Sequence, residues 1–329
     1  MEAGAISLVR RSAVVLLAAA LTAASSAAFA QAYPTKPIRI LVPLAPGGLT
    51  DIMTRVIGQK LNETLGQPVI VDNRPGASGI IASDIVAKAA PDGHTLITVS
   101  LAHAVNASIY PKLGYDTLRD FTPVIYLADV PQILLVRAQV KANSVRELIA
   151  LAKSKPGELN YSSGGVGGSS HMGMELFRYT TGIQIQHIPY KGGFQALLEL
   201  VAGRVELTYG QWQSSARFIK AGQIRALGVS SPKRIAAAPE IPTIAESGFP
   251  GYESRSWYGM LGPARLPKPV LAKLHGEIAK IISSADFGSK FAAEGVVIGD
   301  MSAEQFAEFI RQEVKRYAVV VKAASLQMQ

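Results

Sequence analysis

The sequence predicts an α/β protein of two lobes arranged as a hinged clamp, each lobe a mostly parallel sheet flanked by helices. Three observations carry this expectation. Short β-branched runs alternate with stretches of helical periodicity along most of the chain, the pattern of parallel strands covered by helices on both faces. Two glycine-rich loops, one early and one in the middle of the chain, each lie between a strand-like and a helix-like run. Finally, a single late strand-like run is followed by two long helical stretches, so the chain is expected to cross between lobes more than once. The division that follows is 33–130 with 255–329 for one lobe and 131–254 for the other.

The elements follow in order. IRILV (Ile38 to Val42) reads as a strand and DIMTRVIGQKLNETLG as a helix, with Ile52, Val56, Leu61 and Leu65 close to one face. PVIVDN is a strand, 78–90 a helical segment and TLITVS (Thr95 to Ser100) a strand followed by a turn. QILLVR (Gln132 to Arg137) opens the middle block, where Ser144 with Glu147 three residues on forms a capping-box pattern. LNYS, IQHIPY, VELTY and RALGV then alternate with helical stretches near Ser169 and from Phe194 to Ala202. WYGMLG (Trp257 to Gly262) is the late strand, and Ser302 with Gln305 repeats the capping-box pattern at the last helix.

Ahead of these elements, Arg10 and Arg11 precede the apolar run SAVVLLAAALTA, which ends at Ala28-Phe29-Ala30. A basic segment, a short apolar core and a small-x-small site define a cleaved secretory signal. Residues 1–30 are therefore expected to be removed, leaving an exported, soluble chain that starts near Gln31. The chain has no cysteine, which excludes disulfide scaffolding and thiolate chemistry. Its formal charge of +9 is spread out, with no nucleic-acid-binding motif. The balance implies a basic surface with some attraction for anions, and no nucleic-acid partner is expected.

The two loops are VPLAPGGLTD (Val42 to Asp51) and NYSSGGVGGSSHMG (Asn160 to Gly173). Glycine admits positive φ and close backbone approach, so successive amides can form an anion nest at the positive end of a following helix. Neither loop has the lysine of a phosphate loop, nor is there a dinucleotide fingerprint. Turn amides with the hydroxyls of Ser162, Ser163, Ser169 and Ser170 suit a carboxylate instead, held directly or through water. Asp51 reads as an N-cap that turns Gly47, Gly48 and Thr50 toward the ligand. Five histidines show no metal-ligand pairing and there is no G-x-S-x-G elbow, so no metal, cofactor or catalytic residue is expected. A hydrolase or isomerase acting on a carboxylic acid is the runner-up.

The motifs VPLAPGGLTD, QPVIVDNRPGASGIIASDIVAKAAPDG, ELIALAKSKPGELNYSS, GSSHMGMELF, IPYKGG, IKAGQIRALGV and APEIPTIAESGFPGYE resemble, in order and spacing, the Bug or TctC receptors of tripartite tricarboxylate transporters. The resemblance spans nearly the whole chain after the leader. It implies a periplasmic-binding-protein fold of type II-like form and a monomeric periplasmic receptor. Such a receptor would bind a small carboxylate, a dicarboxylate or an aromatic acid, and deliver it to the transporter's membrane components; ligand sensing is the alternative use. The first-lobe contacts it implies are Leu44, Ala45, Pro46, Gly47, Gly48, Thr50 and Asp51, with Ala102 and His103 in the turn after TLITVS. In the second lobe it implies Ser162, Ser163, Gly167, Gly168, Ser169 and His171, with Tyr190 and Lys191 nearby.

Departures from the family pattern concern the far end of the ligand. Leu44 stands where an aromatic is common, and Val166 and Gly168 stand where Asn and Thr are frequent. Gly210 takes the place of a usual Asp, removing a charge that could pair with a ligand ammonium; a non-amino carboxylate is the expectation. Gln211 can donate to a ligand oxygen, while Trp212 either stacks on the ligand or packs beneath its loop.

Overall fold

The computed structural model describes residues 33–292 and 295–326; the leader expected over residues 1–30 lies outside them. Eleven strands form two sheets among these residues. The six-stranded sheet contains β1 (Ile38–Val42), β2 (Val69–Asn73), β3 (Thr95–Ser100), β4 (Phe121–Pro131), β10 (Arg255–Pro263) and β11 (Val297–Ile298), in the order β11-β4-β10-β3-β1-β2. The five-stranded sheet contains β5 (Ile133–Arg137), β6 (Asn160–Ser163), β7 (Gln186–Pro189), β8 (Leu207–Gly210) and β9 (Ile224–Val229), in the order β7-β6-β8-β5-β9.

Both sheets are mixed, which corrects the expectation of mostly parallel ones. In the first, β1 pairs in parallel with β2 and β3, while β10 lies antiparallel between β3 and β4. In the second, β6 pairs in parallel with β7 and β8, while β5 lies antiparallel between β8 and β9. The reversed strands β5 and β10 are those that carry the chain from one sheet to the other. A chain that leaves one lobe at the carboxyl ends of its strands enters the next at the same edge, so the entering strand must run backwards. That edge is also where ligands bind in open α/β sheets.

The helices are α1 (Leu49–Leu65), α2 (Ile80–Ala87), α3 (Leu101–Ile109), α4 (Val145–Ser154), α5 (Ser169–Thr181), α6 (Gly193–Val201), α7 (Trp212–Lys220), α8 (Lys268–Ile282), α9 (Ala285–Ala292) and α10 (Ala303–Ala323). Side chains alternate across each sheet as period two requires. Ile38 and Ile40 of β1 enter one core with Met53, Ile57 and Leu61 of α1, and with Leu274 and Ile278 of α8. Leu41 enters a second core on the other face. In β5, Leu134 and Val136 join that second core while Ile133 and Leu135 face a third, with Leu197 and Leu200 of α6. The second core also takes Phe306 and Tyr317 of α10. This last helix packs on α3 and β4 of one lobe and on α5 of the other, so it straps the two together.

Three local expectations are corrected. The buried face of α1 is Met53, Ile57 and Leu61, while Val56 and Leu65 are only partly buried and Ile52 is exposed: Met53, Ile57 and Leu61 follow an i, i+4, i+8 spacing that turns Ile52 away from the core. The capping box at Ser302 is complete, whereas at Ser144 only half forms: Ser144 accepts from Glu147 N–H, but the Glu147 carboxylate reaches Asn143 N–H instead. The segment after TLITVS is the first turn of α3, which starts at once at Leu101.

Candidate functional site

A cleft of about 500 Å³ opens between the lobes. Five helices begin at its wall, each directly after a strand or a short strand-to-helix loop. Leu49 and Thr50 of α1, Ala102 and His103 of α3, Ser169 and Ser170 of α5, Gly193 and Phe194 of α6, and Gln211 and Ser214 at α7 all line it. The residues preceding these helices, Gly48, Ser100, Gly168, Gly192 and Gln211, make no side-chain capping bond. By contrast Ser144 and Ser302, away from the cleft, do cap their helices. First-turn amides have no intrahelical partner, and each helix start carries a partial positive charge. The cleft thus gathers five sources of positive potential with no aspartate, glutamate, lysine or arginine among its lining residues. His103 is the one imidazole there, and burial pushes its pKa down to about 4, which leaves it neutral near pH 7.

Glycine shapes the second-lobe wall. A Cβ on Gly164 would stand 2.7 Å from Gly193 N and 3.1 Å from Gly192 C, so only a residue without one lets the start of α6 lie against the loop after β6. Gly167 has φ of +76°, a left-handed conformation that glycine adopts without strain. Its N–H is donated to His171 Nδ1 at 3.1 Å, and Gly165 N–H is donated to Ser163 Oγ at 3.2 Å. Ser170 Oγ accepts from Gly164 N–H at 3.0 Å. Gly164→Ala is expected to force backbone apart at the wall, costing about 1–3 kcal/mol; the urea midpoint measures the cost, and an unchanged midpoint would mean that the loop and α6 part freely.

The residues expected from the sequence separate into layers. Leu44, Thr50, Ala102, His103, Gly167, Gly168, Ser169 and Gln211 line the cleft. Ala45, Pro46, Gly47 and Gly48 are exposed on its rim and are not part of the wall. Asp51 is buried beneath the loop, not an N-cap: it is the third residue of α1, and its carboxylate accepts from Gly47 N–H (2.9 Å), Asn73 Nδ2 (2.9 Å) and Arg55 Nε (3.0 Å). Burial opposes its charge, but the bonds from Arg55, Gly47 and Asn73 prevail and hold its pKa below the usual carboxylate range. Asp51 therefore consumes the Gly47 amide that was expected to face the ligand.

Ser162, Ser163 and His171 form a supporting layer behind the glycine loop. Ser162 Oγ donates to Ala196 O at 2.8 Å, Ser163 Oγ meets His187 Nε2 at 2.6 Å, and His171 is fully buried. Lys191 is exposed away from the wall, and Trp212 packs against the core of Ile133, Leu197 and Val229 instead of lining the cleft.

Other wall residues escaped the sequence reading: Ser78, Gly79, Ser83, Gln132, Phe194, Tyr209, Ser214, Ser256 and Tyr258. Ser256 and Tyr258 come from β10 and Gln132 from the junction of β4 and β5, positions with no glycine motif to announce them. Gln132 is bonded at both backbone groups to Ser230 (N–H to Ser230 Oγ, 3.1 Å; O from Ser230 N–H, 2.8 Å). With its carboxamide turned to satisfy both ends, it donates to Ser169 O and accepts from Ser170 N–H, each at 3.2 Å. It ties the crossing strand to the start of α5.

Two mixed α/β lobes with a ligand-sized cleft at their strand ends define a solute-binding receptor of the periplasmic-binding-protein class. The chain matches the family described as "TctC: Tripartite tricarboxylate transporter family receptor" over residues 53–326 and belongs to it. Among solved structures it is similar to an R. palustris protein with adipate, at 37% identity and a TM-score of 0.77, covering 90% of this chain and 100% of that one. It is also similar to MatC from Rhodopseudomonas palustris with bound malate (31%, TM-score 0.74, 88% and 100%). The periplasmic binding protein BugD is a third (30%, TM-score 0.74, 90% and 100%).

Proposed function

We propose that this protein is a periplasmic receptor, exported by a cleaved leader, that closes on a small carboxylate and passes it to the membrane components of a tripartite tricarboxylate-type transporter without chemical change. Residues 33–130 with 255–329 form one jaw and 131–254 the other. The observation that carries the reading is the convergence of five helix starts, none capped by the side chain of its preceding residue, on a cleft whose lining includes no charged side chain. Such a site attracts an anion through amides and dipoles, and its weak charge leaves the grip reversible, as delivery requires. The adipate and malate found with two similar proteins support a carboxylate of that size.

The test is a melting screen of the exported protein against adipate, malate, benzoate, glutamate and inorganic phosphate, joined to mass spectrometry of molecules released on denaturation. A carboxylate at a hundredfold excess over its Kd is expected to add about 2.7 kcal/mol of stability. Turnover of the winning compound, or a response to phosphate alone, would overturn the reading.

A further inference from the structure

Resting on that receptor reading, we propose that Phe194 and Leu44 form an apolar clasp over the body of the ligand, so that the site selects carboxylates whose body is unbroken hydrocarbon. Phe194 is the second residue of α6, and Leu44 lies in the loop after β1; both line the cleft, one from each lobe. They are 51% and 45% exposed. A first helical turn favours acids and small polar residues that complement the dipole, and an exposed loop tip favours polar ones. Large apolar side chains in both places, facing one cavity, have no local folding reason.

Phe194 is also held. The exposed Arg217 of α7 sets its guanidinium 5.7 Å from the Phe194 ring centre and 4.5 Å from that of Phe218, a cation–π stack that limits where the ring can go. The bare backbone contact between Gly164 and Gly193 fixes the root of the same helix. Opposite it, Asn73 Nδ2 donates to Leu44 O at 3.1 Å while also donating to Asp51, so the residue that presents Leu44 is anchored too. Closure of the lobes on an apolar body would bury both side chains, whereas a hydroxyl or ammonium under them would lose water without a partner.

The experiment is calorimetric titration of the full exported chain, and of Phe194→Ser and Leu44→Ser, with succinate, glutarate, adipate and malate. The wild type is expected to bind more tightly by about fourfold per added methylene from succinate to adipate, and to bind malate about fivefold or more weakly than succinate. Each variant, with an unchanged urea midpoint, is expected to flatten the methylene series and narrow the succinate-to-malate gap. A wild-type preference for malate, or variants that weaken all four ligands by one common factor, would overturn the clasp while leaving the receptor reading intact. Binding of none of the four, with or without the clasp, would instead overturn the reading on which it rests.

Discussion

Ser169→Asp is expected to weaken carboxylate binding by about 100-fold or more while leaving the melting temperature unchanged or slightly raised. Ser169 is the first residue of α5, its preceding Gly168 supplies no side-chain cap, and it lines the cleft. An aspartate there complements the helix start, a gain of about 0.3–1 kcal/mol in stability. The same carboxylate would stand where the ligand's negative charge is expected. Like charges about 4 Å apart at an effective dielectric constant of about 20 repel by about 4 kcal/mol, which outweighs any gain in helix stability and corresponds to roughly a thousandfold in affinity. Opposite signs for stability and binding distinguish a true anion site from general damage. Ser169→Ala, which removes only a hydroxyl, is the control, expected to cost about tenfold at most. Titration with adipate checks both, and an aspartate variant that binds as tightly as the wild type would place the anion elsewhere.

The strand-to-helix loops that build this site were legible because glycine spacing and hydrophobic period are local signals. Layering was not. Ser162 and Ser163 are neighbours in a strand and point to opposite faces, yet both are buried behind the loop, because His187 and the Ala196 carbonyl approach from either side. Asp51 could be placed at the start of a helix from its neighbours, but its role as the acceptor for Gly47 N–H depends on the exact residue at which α1 begins. The strand β4 escaped altogether. Its eleven residues include Pro123 and Pro131, which argue locally against a central strand. It is nevertheless flanked by β10 and β11, partners more than a hundred residues away. The reversal of β5 and β10 has the same origin: direction is set by the edge at which the chain enters a lobe. Gln132, Ser256 and Tyr258 reach the cleft on those crossing strands, so they were out of reach for the same reason.

Lowering the pH from 7.5 to 4.5 is expected to destabilise the protein by several kcal/mol, and three imidazoles, His103 and His171 buried and His187 half-buried, are the cause. Burial pushes His103 down to about 4. Burial, with the charge of Arg178, does the same to His171. In His187 burial is again the leading cause, followed by the neighbouring His171, while Glu175 acts in the opposite direction. His171 and His187 stack with centres 4.0 Å apart, and Tyr161 lies against His187 at 4.8 Å. Above pH 6.5 the imidazoles are neutral in both folded and unfolded chains, so their contribution is fully present. Below it the unfolded chain takes up protons that the native chain refuses, and stability falls until the pH reaches about 4. A depression from 6.5 to about 4 is worth about 3 kcal/mol for a single imidazole. His171 and His187 are stacked and titrate as a pair, so their joint loss belongs to the pair and is not divided between the two rings. Binding should hold through most of this window and weaken only as the pH falls toward 4, where a proton on His171 Nδ1 replaces the acceptor of Gly167 N–H with a second donor and releases the glycine loop. His171→Asn keeps an acceptor for that amide and removes one titrating group. It is expected to shrink the loss of stability between pH 7.5 and 4.5 by up to about 3 kcal/mol, as read by urea midpoints at each pH. A midpoint that does not move across this window in the wild type would show that these imidazoles take up protons in the folded state as readily as in water.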